Sequence, residues 1–230
     1  TSPFTGGALL GDRIRMQDLT LDEGVFIRSM GSRGALGGLS RATFDAAKVF
    51  DAAGMDYIII ETVGVGQSEV DIMRLADIVV LVLMPGMGDE VQAIKAGIME
   101  IGDIFAVNKS DKDGVDKLVL EIEMSLDLNP DKDRFKPPVV KTVAITGEGI
   151  AELRESINTV LRQVTASNIL LEKRRSRVKK ELTDLVREHY FSRIYDNLSR
   201  QIDDATDLII KRELDPFTAV ETITGDIGCP

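Results

Sequence analysis

Tryptophan is absent from this chain of 230 residues, histidine and cysteine occur once each, at His189 and Cys229, and 28 Lys and Arg are outnumbered by 38 Asp and Glu. A single cysteine excludes an internal disulfide, so packing must hold the fold, and a reducing, cytoplasmic address is the simpler expectation. His189 has no metal-ligand company and is assigned no chemistry. A formal charge of -10 and a pI near 4.7 argue against a nucleic-acid surface, which shows a basic face. No apolar stretch approaches the roughly 20 residues that span a bilayer, and no signal-peptide pattern opens the chain, so a membrane is not an expected partner.

A further absence shapes the functional reading. Neither the phosphate-cradling pattern G-x-x-x-x-G-K-S/T nor any Gly-Lys dipeptide occurs, and the chain opens on Thr1, not Met. It reads as a protein shorn of its N-terminal part.

What is present is enough for a sizeable core, with 43% apolar residues against 29% charged. Apolar runs of strand length recur at Tyr57–Ile60, Ile78–Met84, Ile104–Val107 and Val139–Ala144, and helix formers at helical spacing fill the intervals. That alternation predicts an α/β fold, a mostly parallel sheet covered by helices on both faces. Ser40 reads as the N-cap of a helix ending near Gly54, Asp89-Glu90 as the start of a second through Val91, Ile94, Ile98 and Ile101, and Ile150–Val164 as a third. Thr1–Leu39, rich in Gly, and Asn129–Pro138 read as loops. After about Thr165, Leu171, Val178, Leu182, Leu185, Ile194 and Leu198 fall at helical spacing, and a second helix through Ile202, Leu208 and Leu214 stops before Asp215-Pro216. The expected division is a domain over 1–164 and a helical arm over 165–230.

Two motifs sit at the ends of these strands. Asn108-Lys109-Ser110-Asp111 closes the run Asp103–Val107. A carboxylate such as Asp111 accepts from both the ring N–H and the exocyclic amine of guanine, a donor pair adenine lacks; Asn108 addresses the other base edge, and the stem of Lys109 can lie along the ring. Taken alone, the same four residues also fit a polar strand-to-turn cap. Glu61-Thr-Val-Gly64-Val-Gly-Gln67 closes Tyr57–Ile60. A strand-end carboxylate can hold magnesium, Gly64 lets backbone approach a terminal phosphate, and Gln67 can position water. The alternatives are a solvated carboxylate for Glu61 and a helix-terminal amide for Gln67. Asp12 is by itself as well explained as a turn residue, and Asp89 and Lys95, six apart, as solvated charges.

Read end to end, Thr1–Met16, Phe26–Met30, Leu36-Gly-Gly-Leu-Ser40, Ile60–Glu69, Gly88-Asp-Glu90 and Gln92–Gly97 resemble the MeaB/ArgK family, the GTPase chaperones of methylmalonyl-CoA mutase and related cobalamin-dependent acyl-CoA mutases. The resemblance implies a P-loop NTPase-like fold whose P-loop portion is absent from this chain, a C-terminal helical arm that forms a homodimer, GTP/GDP and Mg2+ as ligands, and such a mutase as partner. It places Asp12 in a magnesium-sensing first switch, Glu61 to Gly64 in the second, and Asp89 with Lys95 in a switch loop facing the mutase. Asp12, Glu61 and Gln67 become the catalytic set, and Asn108, Lys109 and Asp111 take the guanine. Val143-Ala144-Ile145 stands for the family's base-capping Ser-Ala motif; Val143 replaces the serine but leaves the backbone amides available. Hydrolysis would gate adenosylcobalamin delivery. The family's older label, an amino-acid transport ATPase or kinase, finds no amino-acid pocket or phosphoacceptor in these residues. The second reading is a non-catalytic interaction fragment that keeps the base pocket and the partner-facing loops but cannot hold phosphates.

Overall fold

Ile104–Asn108 forms the middle strand, β2, of a three-stranded parallel sheet ordered β1-β2-β3, with β1 at Val80–Leu83 and β3 at Val139–Thr142. The computed structural model describes residues 16–19, 21–30, 41–62, 72, 75–86, 101–128 and 135–225. Within them the helices are α1 (Arg41–Ala52), α2 (Val115–Asp127), α3 (Ile150–Ala166), α4 (Ile169–Ile210) and α5 (Pro216–Gly225), with a single 3-10 turn at Gln17–Leu19.

A strand with a hydrogen-bonded neighbour on each side and a helix over each face is shielded from water, which is why β2 is apolar from Ile104 to Val107 and turns polar only at its last residue, Asn108. Its side chains alternate between the two faces. Phe105 and Val107 pack with Leu83 against Val115, Leu118 and Ile122 of α2, while Ile104 packs against Val160 and Val164 of α3 and Leu170 of α4. Phe105, Ile104 and Ile122 are fully buried, contributing about 2–3 kcal/mol each by removal from water. The register aligns Leu83 with Val107 and Asn108 with Thr142, so β2 and β3 finish level at their carboxyl ends.

Asp103, entering β2, is buried and fully engaged. Its carboxylate accepts the Val79 N–H at 2.9 Å and lies 3.3 Å from Lys173 Nζ at both oxygens, tying the start of α4 to the entry edge of the sheet. Asp103→Asn keeps an acceptor for Val79 but removes the charge facing Lys173. It is expected to lower unfolding free energy by about 1–2 kcal/mol, read as a fall in the urea midpoint at unchanged slope. An unmoved midpoint would show that this ion pair contributes nothing.

Three expectations need correction. Tyr57–Ile60 is extended but is not a strand, and Ile59 stands 91% exposed. A strand exists by exchanging ladder bonds, and among the described residues no neighbour pairs with this segment. The strand expected over Val139–Ala144 ends at Thr142, because Val143 instead makes an isolated antiparallel bridge to Glu148 and Ala144 enters the turn. The two helices expected after Thr165 are one continuous helix, α4, for Ser199-Arg200-Gln201 contains neither Gly nor Pro to interrupt it. α4 ends instead at Ile210, and just past it Arg212, at φ 61°, lets Glu213 N–H reach Leu208 O and Arg212 N–H reach Ile209 O, the paired bonds of a Schellman terminus. Asp215 then caps α5, accepting from Phe217 N–H and Thr218 N–H, with Pro216 at the first helical position. The helix expected from Asp89 lies outside the described residues.

The first helix, by contrast, ends where Gly54 stands, at φ 81°, with Met55 N–H bonded to Phe50 O. The chain divides into two compact units, Thr1–Arg174 and Arg175–Pro230. On α4 the second unit leaves Val178, Leu182, Tyr190 and Phe191 exposed.

Candidate functional site

The side chain at the end of β2 decides how the first motif is presented. Asn108 Oδ1 accepts the Ala144 N–H at 3.1 Å and the Thr142 hydroxyl at 3.4 Å, both from the strand and loop alongside. A backbone N–H can only face an acceptor, so the amide oxygen is committed inward and Nδ2 is turned out as a donor. Lys109 follows at φ 57°, a left-handed conformation uncommon for a residue with a Cβ. That reversal lets Lys112 N–H return to Lys109 O and Ser110 N–H reach Thr142 O, each at 3.0 Å. Asp111 is thereby held on a short turn, its side chain about half exposed at 49% and 3.5 Å from Lys112 Nζ. Nearby, Lys141 donates to Asp116 at 2.6 Å, and this ammonium holds the Asp116 carboxyl below its usual range.

The loop from β3 to α3 is braced by its own backbone. Val143 N–H donates to Glu148 O at 2.9 Å, and Val143 O accepts from Thr146 N–H at 3.1 Å and Gly147 N–H at 3.0 Å. Gly149, at φ 75°, passes so close to β3 that a Cβ there would lie 2.0 Å from Lys141 O. The expectation that the backbone amides of Val143-Ala144-Ile145 stay available is therefore corrected for the first two. Both N–H groups are spent inside the protein, the first on Glu148 and the second on Asn108. The Val143 side chain is buried, whereas Ile145 stands 96% exposed at the tip of the turn.

The structure thus brings Asn108, Lys109, Asp111 and Val143–Ile145 to the carboxyl ends of adjacent parallel strands. Glu61 is exposed at the end of its unpaired segment, with no described contact joining it to this cluster. Asp12, Gly64, Gln67, Asp89 and Lys95 lie outside the described residues. Among the described residues no group of three or more His, Cys, Asp or Glu could hold a metal ion, and no helix is long and apolar enough to cross a membrane. Thr142 was not singled out from the sequence. A β-branched residue closing a strand carries no mark that separates it from ordinary sheet composition.

An open parallel sheet with helices on both faces and a polar turn at a strand's carboxyl end is the arrangement of a P-loop-type nucleoside-triphosphatase domain. Within that class the chain belongs to the family described as methylmalonyl Co-A mutase-associated GTPase MeaB, whose profile matches residues 1–199. A relative in Pyrococcus horikoshii is 50% identical over 226 residues, covering 97% of this chain and 71% of that protein. The Escherichia coli GTPase ArgK is 36% identical over 200 residues, 84% of this chain and 60% of the relative. A crystal structure titled LAO/AO transport system kinase superposes with a TM-score of 0.68 at 26% identity, over 92% of this chain and 68% of that one. Guanine-nucleotide binding is a property that the family's description as GTPases implies.

Proposed function

We propose that this chain carries the base-reading half of a GTP-binding and GTP-hydrolysing switch that acts on a cobalamin-dependent acyl-CoA mutase of the methylmalonyl-CoA type. The observation that supports it is the aimed Asn108 amide beside the half-exposed Asp111 carboxylate. With Oδ1 held by Ala144 and Thr142, Nδ2 donates toward the N7 and O6 acceptors of guanine. Asp111 accepts from the opposite, donor-bearing edge. The methylene stem of Lys109 and the exposed Ile145 supply apolar surface for the ring. Family membership supports the mutase as partner, since the family's description names it.

Magnesium is part of the reading only through the resemblance. Of the two proposed carboxylates Glu61 alone falls in the described residues, where it is exposed and has no metal-ligand company among them. Asp12 and Gln67 as catalytic residues, Gly64 beside the terminal phosphate, and Asp89 with Lys95 facing the mutase are likewise proposals from the family match. We place the GTPase domain over 1–164 and a homodimerising arm over 165–230, in the cytoplasm. The exposed apolar positions along α4 support the arm assignment. Gated delivery of adenosylcobalamin is the role proposed for hydrolysis.

Titrating the 230-residue chain with GTP and magnesium tests how much the base site achieves alone. Phosphate contacts dominate nucleotide affinity, so binding weaker than about 100 µM is expected, corresponding to less than about 5.5 kcal/mol. Micromolar affinity would contradict the division of labour proposed here. A form that includes a G-x-x-x-x-G-K-S/T loop should bind guanine over adenine nucleotides, and equal affinity for both would refute the base site itself.

A further inference from the structure

Thr142 ends β3, is buried to 3% exposure and faces Asn108 across the register of the sheet. Its two polar groups serve the same turn from the side. The hydroxyl donates to Asn108 Oδ1 at 3.4 Å, and its carbonyl accepts the Ser110 N–H at 3.0 Å. The remaining donor on Asn108 Oδ1, Ala144 N–H, is supplied by the second residue after Thr142. One buried residue therefore connects the start of the Asn-Lys-Ser-Asp turn, its middle, and the loop beside it.

An asparagine side chain at the rim of a sheet is free to turn about its terminal torsion, exchanging oxygen for nitrogen with little cost. If it turns, a donor aimed at a base becomes an acceptor facing another acceptor. A hydroxyl within a buried site removes that freedom when its proton points at the amide oxygen, and a buried Thr142 hydroxyl has that use for its proton here. The lone bond from Ala144 leaves one attachment point on an exposed turn; two donors on one oxygen define a direction.

We infer that Thr142 is a positioning residue for purine recognition, fixing the Asn108 amide so that its nitrogen meets the N7-bearing edge of the base. This deepens the proposed function and rests on that reading. Thr142 touches no base; it acts through Asn108. Its hydroxyl proton stays on Thr142 throughout, and no group is transferred.

The test uses a form of the protein that carries a phosphate loop, with GDP and 7-deaza-GDP, which lacks only the N7 acceptor. The unaltered protein is expected to bind 7-deaza-GDP about 5- to 10-fold more weakly, the worth of one modest hydrogen bond. Thr142→Val keeps the shape and removes the hydroxyl. It should shrink that ratio to about 2-fold or less while GDP affinity falls by a similar factor, and Thr142→Ser should restore both. Thr142→Ala provides a second removal in case the valine packs badly, and circular dichroism melting reports whether each variant is folded.

Merely structural packing would lower the melting point without touching the ratio of the two nucleotides. If Asn108→Ala abolishes the ratio but Thr142→Val and Thr142→Ala both retain it, positioning by Thr142 is wrong and the base site stands. If the unaltered protein does not distinguish the two nucleotides and Asn108→Ala binds GDP as tightly as before, the base-site reading fails and this inference with it.

Discussion

Asp111→Asn, made in a form of the protein that carries a phosphate loop, is expected to exchange a preference for GTP for a preference for xanthosine triphosphate. Guanine presents two adjacent donors, the ring N–H and the exocyclic amine, and a carboxylate accepts both. Xanthine replaces the amine by a carbonyl oxygen, which a carboxylate repels and an amide N–H satisfies. A site whose polar groups are left unpaired rejects a ligand by as much as about 10⁴-fold when dry, but the Asp111 side chain is 49% exposed. Water moderates the penalty, so the swing in the ratio of affinities should be on the order of 10²- to 10³-fold. Competitive displacement of a fluorescent guanine nucleotide by each triphosphate measures it. Unchanged preference for GTP would take Asp111 out of the base site, whatever the fold around it.

The turn Asn108–Asp111 was readable as a strand-end turn because its pattern is local to four consecutive residues at the end of an apolar run. The sheet was readable for a related reason. Val80–Leu83, Ile104–Val107 and the shorter pair Val139-Val140 are apolar runs separated by helical spacing, and in β2, buried on both faces, burial demands that pattern. Tyr57–Ile60 has the same composition yet is unpaired among the described residues, since a strand is a property of two segments and composition reports only one. The length of α4 was misread for the opposite reason. Leu198 and Ile202 are four apart, and no Gly, Pro or capping geometry ends the backbone between them, so hydrogen bonding runs on through the expected break.

The loop after β3 shows a deeper limit. Val143 and Ala144 were expected to offer their N–H groups to a ligand, and the folded chain uses both. Which donor remains free is decided by three-dimensional neighbours separated by tens of residues, such as Asn108 and Ala144. The same pairing that withdraws Ala144 is what aims Asn108, so the loss of one expected donor is the means by which another becomes directional. Gly147-Glu148-Gly149 directly precedes the helix expected from Ile150, but nothing in the three residues marks a place where two backbones nearly touch.

That contact yields the second large effect. Gly149→Ala is expected to destabilise the protein by about 3–4 kcal/mol, from about 1–2 kcal/mol for holding a Cβ at positive φ and the rest for displacing backbone. The new Cβ would lie 2.0 Å from Lys141 O, 3.0 Å from Lys141 C and 3.1 Å from Thr142 Cα, all main-chain atoms of β3 that no rotamer change can move aside. Either the start of α3 lifts from the sheet or β3 shifts against β2, and each course disturbs Thr142 and the Ala144 N–H that hold Asn108. Gly147→Ala separates the two contributions. Its φ is 82°, close to that of Gly149, but a Cβ there meets nothing within 4 Å, so only the conformational cost of about 1–2 kcal/mol applies. Urea unfolding of both variants should place Gly149→Ala at least about 1.5 kcal/mol below Gly147→Ala, with nucleotide affinity lowered only in the former. Equal losses would mean that the approach of α3 to β3 is looser than these distances and that the loop bracing the Asn108 amide can yield without consequence.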